Sequence, residues 1–135
     1  MKFAAIKGQM GIWRYYVSAL SFGEIAKYVS PITKEISNSD SYSNLLQRAI
    51  TNNVSSITDY LLLQPERMFN ALVLAVYDGN PEWSELDVEV EDYRTFSVGV
   101  LELTGDEIIF PVDGQHRVAG IKDALKKDSS LANEK

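Results

Sequence analysis

The densest run of chemically capable side chains in this sequence is Asp113-Gly114-Gln115-His116-Arg117. It separates a β-rich run, residues 108–112, from an amphipathic helical pattern, so a strand ends and a helix starts around it. A helix start leaves backbone N–H groups without intrahelical acceptors and carries a partial positive charge. Gly114 permits a sharp turn and close approach of a ligand. Arg117 adds a guanidinium fork matched to phosphate oxygens. Together they predict an anion cradle whose natural occupant is phosphate, with Gly114 and Gln115 offering N–H groups. Asp113 can accept from the helix start, bind a ribose hydroxyl or orient a magnesium ion. His116 is the sole histidine, so an imidazole acid–base step would run through it, which makes His116 and Asp113 the candidate catalytic pair. Lys7, in the amino-terminal part, is the candidate second phosphate contact. Each residue also has a plain structural use: Asp-Gly as cap and turn, His116 as a surface group, Arg117 as the partner of Asp113 or of an acidic strand.

The elements that must position these residues follow from hydrophobic period and turn chemistry. Residues 3–9 and 12–19 read as two strands around Gly8 and Gly11, with Trp13, Tyr15 and Val17 alternating against Arg14, Tyr16 and Ser18. Ser21 with Glu24 forms a capping-box signature, followed by the helical face Phe22, Ile25, Ala26 and Val29 and closed by Pro31. Tyr42, Leu45, Leu46 and Ala49 predict a second helix. A third is capped by Asn53 and striped by Val54, Ile57 and Leu61. Residues 68–77 predict a strand stopped by Asp78-Gly79-Asn80-Pro81. Residues 85–91 alternate Leu86, Val88 and Val90 with four acids, predicting one half-buried strand with an acidic outer face. Residues 96–103 and 108–112 flank Thr104-Gly105-Asp106-Glu107 as a further strand pair. Val118, Ile121, Ala124 and Leu125 mark the final helix. The order β-β-α-α-α-β-β-β-β-α is a mixed α/β or α+β class, and no linker divides it, so residues 1–135 read as one domain.

Composition narrows the functions this frame can carry. The absence of cysteine excludes disulfides, thiolate catalysis and cysteine-held zinc or iron–sulfur centres. The apolar runs are too short to cross a bilayer and no leader opens the chain, which predicts a soluble, cytoplasmic protein without a membrane partner. A net charge of −6 opposes nucleic-acid binding at first sight. Yet residues 82–107 hold nine acids against Arg94 alone, a local −8, and the rest of the chain carries +2. Residues 1–34 carry +4 and residues 114–127 carry +3, so DNA contact is confined to a face away from the acidic strip. Carboxylates along a strand stand ~7 Å apart on one face, whereas hard cations need converging oxygens. The acidic strip therefore reads as a solvated edge, and no metal site is predicted there.

The pentapeptide followed by Val118-Ala119-Gly120-Ile121 resembles the signature of the DGQHR-domain family, whose DndB branch works in DNA sulfur modification. The preceding Gly99-Val100-Leu101-Glu102-Leu103 run, Lys7-Gly8-Gln9 and Tyr15-Tyr16-Val17 with Leu20 extend the resemblance in outline across the chain. It implies a ParB/sulfiredoxin-like mixed sheet with helices, in which a Gly-x-x-Arg turn holds nucleotide phosphates. Gln115 stands where sulfiredoxin has its catalytic cysteine, so sulfinic-acid reduction is excluded. The resemblance further implies a repressor of phosphorothioate-modification genes that binds promoter DNA, and, through related restriction proteins, nucleoside-triphosphate hydrolysis. Members of the family are longer, so the chain reads as an amino-terminal fragment or an unusually short member; in a fragment the uncompleted sheet edge favours homo-oligomers or instability.

Three functions from different classes remain. The first is a domain binding, or as an NTPase hydrolysing, a nucleoside triphosphate with Mg2+ at Gly114, Gln115, Arg117 and Lys7. For hydrolysis, one arginine and one histidine are a thin complement. The second is a DNA-binding regulator working with other DNA-modification proteins. The third is a non-catalytic oligomerisation module in which the motif is a structural cap.

Overall fold

In the computed structural model, which describes residues 1–30 and 53–135, the chain runs β1 (Lys2–Met10), β2 (Trp13–Val17), α1 (Phe22–Tyr28), α2 (residues 53–63), β3 (Val73–Tyr77), β4 (Glu82–Glu85), β5 (Val88–Val90), β6 (Tyr93–Thr95), β7 (Val98–Glu102), β8 (Ile108–Asp113) and α3 (Gln115–Lys127), ending in a 3₁₀ turn, Ser129–Asn133. The fold is mixed α+β. It parts into two units, one built from Met1–Leu20 and Tyr77–Glu107, the other from Ser21–Val76 and Ile108–Lys135. Pro31 and the helix expected around Tyr42, Leu45, Leu46 and Ala49 lie outside the described residues.

The first unit is β structure. Its antiparallel sheet has the order β2-β1-β7-β4. The β1–β2 hairpin turns on two residues, Gly11 and Ile12, between the paired Met10 and Trp13. Only the first of the two has positive φ, +60° at Gly11, which is the pattern of a type II′ turn matched to strand twist. Gly8 is not a turn residue but lies within β1 opposite Tyr15, whose ring occupies the space a Cβ would need. The alternating segment from Glu85 onward is not one strand. Glu85 ends β4 against Gly99 of β7, and Val88–Val90 belongs to a separate two-stranded ladder with β6. The break falls at Leu86-Asp87, where Asp87 receives both ends of the Arg94 fork at 2.9 and 2.7 Å. Leu86 and Val90 are consequently exposed rather than facing a core.

The second unit packs helices against the β8 strand. Ser21 accepts from the Glu24 N–H at 3.2 Å while the Glu24 carboxylate accepts from the Ser21 N–H at 2.7 Å, closing the expected capping box of α1. The helix buries Ile25 and hands over at Val29, which bridges Ile109 of β8 in parallel. Lys122 of α3 donates to the Val29 carbonyl at 2.5 Å, and burial, then the neighbouring Lys126, pulls its pKa below the ordinary lysine range. Along α3 the buried side is Val118, Gly120, Ile121 and Ala124. Gly120 lets α2 approach: a Cβ there would run into the Ile57 side chain. Thr58, fully buried, donates to Asp123 at 3.0 Å across the same contact. Lys127 first, and Thr58 after it, hold the Asp123 carboxyl below its usual range.

Candidate phosphate site at the start of the last helix

The turn between β8 and α3 forms because Asp113 is the last strand residue and Gly114 adopts φ 96°, ψ 26°, a left-handed conformation that reverses the chain without a Cβ penalty. Gly114 is the N-cap of α3. Among the described residues no side chain accepts from the first turn, which leaves without a cap the N–H groups that an N-cap Ser or Asp ordinarily engages. The space over Gly114 is closed on its other side, where a Cβ would meet a Leu72 methyl at 2.5 Å and the Arg117 fork at 3.1 Å. Glycine is thus required twice, by backbone angle and by crowding.

A cleft of about 360 Å3 opens at this helix start, walled by Asn53, Ser56 and Ile57 of α2 and by residues 113–117. That volume lies at the small end of ligand pockets, fitting a phosphate chain better than an entire nucleotide. Gln115 and His116 are half-buried on its wall, and the His116 Nδ1 is enclosed without a hydrogen-bond partner among the described residues. Asp113 is largely exposed. Arg117 is oriented differently from the sequence expectation of a phosphate fork. Its Nη1 donates to the carbonyls of Asn70, at 2.5 Å, and Ala71, at 3.1 Å, and its Nη2 meets Asp113 Oδ2 at 3.3 Å. With only 18% of its side chain exposed, the guanidinium clamps residues 70–71 to the turn and supplies positive charge from behind. Lys7 sits in the β unit, ion-paired with Glu85 and over the Trp83 ring, 5.4 Å from its centroid.

The turn thus brings together Asp113, Gly114, Gln115, His116 and Arg117 as expected. Sequence reasoning misses Asn53, Ser56, Asn70, Ala71 and Leu72 as site residues. They lie some 40 to 60 residues upstream, and no motif marks them as part of a site. Asn53, read as a helix cap, and Ile57, on an apolar helical stripe, carry signals for a helix only.

The family model for DndB, described as DNA-sulfur modification-associated, matches residues 3–135. The chain belongs to this family. No curated protein and no solved structure matches it. Membership in the DndB family gives the chain a role in the DNA sulfur modification system. None of its described helices is long and apolar enough to cross a membrane.

Proposed function

We propose that this DndB-family chain is a regulator of the DNA phosphorothioate modification system, a transcriptional repressor whose 113–117 turn binds a phosphate-bearing ligand, first among them a nucleoside triphosphate with Mg2+. The observation that supports it is the start of a thirteen-residue helix, without a side-chain cap among the described residues, at a cleft whose lining includes Asn53, Ser56, Gln115 and His116. In this reading the N–H groups of Gln115 and its neighbours hold the anion, Asn53, Ser56 and His116 surround it, and Arg117 sets the turn and its potential. Asp113, exposed at the rim, is the group available to a magnesium ion. Calorimetric titration of the intact chain with ATP, GTP and CTP in magnesium tests the site. Saturable heat that His116→Ala weakens supports it, and no heat with any of the three rejects it. Phosphate release abolished by Asp113→Asn would add catalysis to binding.

The DNA half of the reading has its own test. Six of the eleven described Lys and Arg side chains, Lys2, Lys7, Arg67, Arg94, Arg117 and Lys127, are each paired with a carboxylate, which leaves fewer than half to replace counterions on DNA. Promoter binding is therefore expected to be weak and to fall shallowly with salt; absence of binding at low salt rejects direct contact by this chain. The filled Arg117 fork favours a second reading, an interaction module in which the motif only braces the fold. It predicts that Arg117→Ala lowers stability while nucleotides give no heat with either protein.

A further inference from the structure

Six of the exposed large apolar side chains of the β unit belong to the β1–β2 hairpin, and five of them lie on one face of its sheet. Directly opposed residues share a face, so the pairs Ile6–Val17, Gly8–Tyr15 and Met10–Trp13 put Ile6, Met10, Trp13, Tyr15 and Val17 side by side. Met10 and Trp13 are each 72% exposed, the other three at least half, and Ile12 at the hairpin tip is 90% exposed. Val98 and Val100, opposite Ile6 and Ala4, carry the apolar surface across β7. The other face is already used: it holds the buried Ala5 and Leu101, and Tyr16 against Trp83 with ring centroids 5.1 Å apart.

At these exposures the six large side chains present on the order of 800 Å2. A few hundred Å2 is ordinary for a monomer, whereas ~800 Å2 is one partner's share of a standard stable interface. We propose that this face is the interface of a twofold homodimer, in which two copies of the chain lay the same sheet face against each other. Charge disfavours two other occupants. By register the face includes Lys2, Glu102 and Glu82 at its β7–β4 end, and Lys2 is paired with Glu102 at 2.9 Å. A nucleic acid finds no unpaired cation there among the described residues, and an anionic membrane is repelled by a unit that holds ten acids against four bases. A second copy meets the patch with an identical apolar centre, as a twofold interface requires, and stacked sheets bury such alternate side chains between them. Glu85 lies on the opposite face, with Lys7, so neither takes part.

Sedimentation velocity of the intact chain from about 1 to about 100 μM reads the assembly directly. A dimer is expected. Trp13→Lys with Val17→Lys in one chain, and Trp13→Glu with Val17→Glu in another, are each expected to weaken it at least about 100-fold, since like charges then meet in an apolar contact. Mixing the two variants is expected to restore a heterodimer, which misfolded chains would not do. A wild-type monomer throughout the range overturns the proposal. So does a dimer that survives in both variants, or one lost in both and not recovered on mixing.

Discussion

Two glycine turns, one in each unit, make similar chain reversals for different ends. Gly11, φ +60°, sits at the tip of the β1–β2 hairpin with nothing within 4 Å of where a Cβ would be. Gly114, φ +96°, has Leu72 and the Arg117 fork pressed against the same position. The contrast extends to the units that hold them. The β unit carries ten acids against four bases, and Lys2, Lys7 and Arg94 pair with neighbouring carboxylates on its surface. The helical unit is balanced at nine against nine, and its Arg117 and Lys122 donate to backbone carbonyls of segments distant in the chain. In one unit charge dresses a surface; in the other it holds chain segments in place.

The largest expected effect separates these two turns. Gly114→Ala combines backbone strain with overpacking against Leu72 and is expected to cost about 2–4 kcal/mol in urea unfolding. Gly11→Ala meets strain alone and should cost about 1 kcal/mol. Equal losses would mean that the crowding at Gly114 relaxes freely and that the contrast is only one of φ. Next in size is Arg117→Ala, which strips two carbonyls and Asp113 of a mostly covered donor and should cost about 2 kcal/mol. Arg117→Lys is expected to recover less than half, since a point charge cannot span both carbonyls and the carboxylate. Gly120→Ala pushes a methyl into Ile57, about 1–3 kcal/mol, against a gain of up to about 1 kcal/mol in helix propensity, so a net loss near 1 kcal/mol is expected.

What is legible in the sequence divides along the same line between local and distant causes. Ser21 and Glu24 stand three residues apart and satisfy each other within one turn, so their spacing alone marks the start of α1. The change from strand to helix across Gly114 is equally local. The segment from Glu85 to Glu91 shows where period-two reading fails. Its alternation is real, but pairing partners decide strand limits, and β7 claims Glu85 while β6 claims Val88. The clamp from Arg117 to Asn70 and Ala71 and the contact of Gly120 with Ile57 join residues more than 45 positions apart. No short window along the chain contains them, so the cleft walls and the hold of Arg117 on residues 70–71 are out of its reach, whereas its pairing with Asp113 is local.

Acid pH probes the loop from Thr104 to Glu107 in the β unit. Desolvation works to raise the Glu107 pKa, but the N–H groups of Gly105 and Thr104 and the Thr104 hydroxyl outweigh it and hold the carboxyl at about 2. A depressed folded-state pKa means that the carboxylate's contribution is complete above the ordinary value of 4.5 and is lost as pH falls toward 2. Glu107→Gln should therefore flatten the acid limb of the stability curve between those limits. An unchanged limb would show that the loop from Thr104 to Glu107 does not persist in solution.

The smallest expected effect concerns Lys7, the residue expected from sequence to contact phosphate. Its ammonium is already engaged by Glu85 and lies over Trp83, and this pairing, by hydrogen bond first and charge second, lowers the Glu85 pKa. Both partners are partly open to solvent, so salt screens the pair and Lys7→Ala should shift the urea midpoint barely beyond error, less still at high ionic strength. The same variant should bind a nucleoside triphosphate as the wild type does, because a lysine drawn to a phosphate must first leave a carboxylate that holds it. A clear loss of nucleotide affinity in Lys7→Ala would break the division between a unit whose charges dress its surface and one whose charges hold chain segments in place.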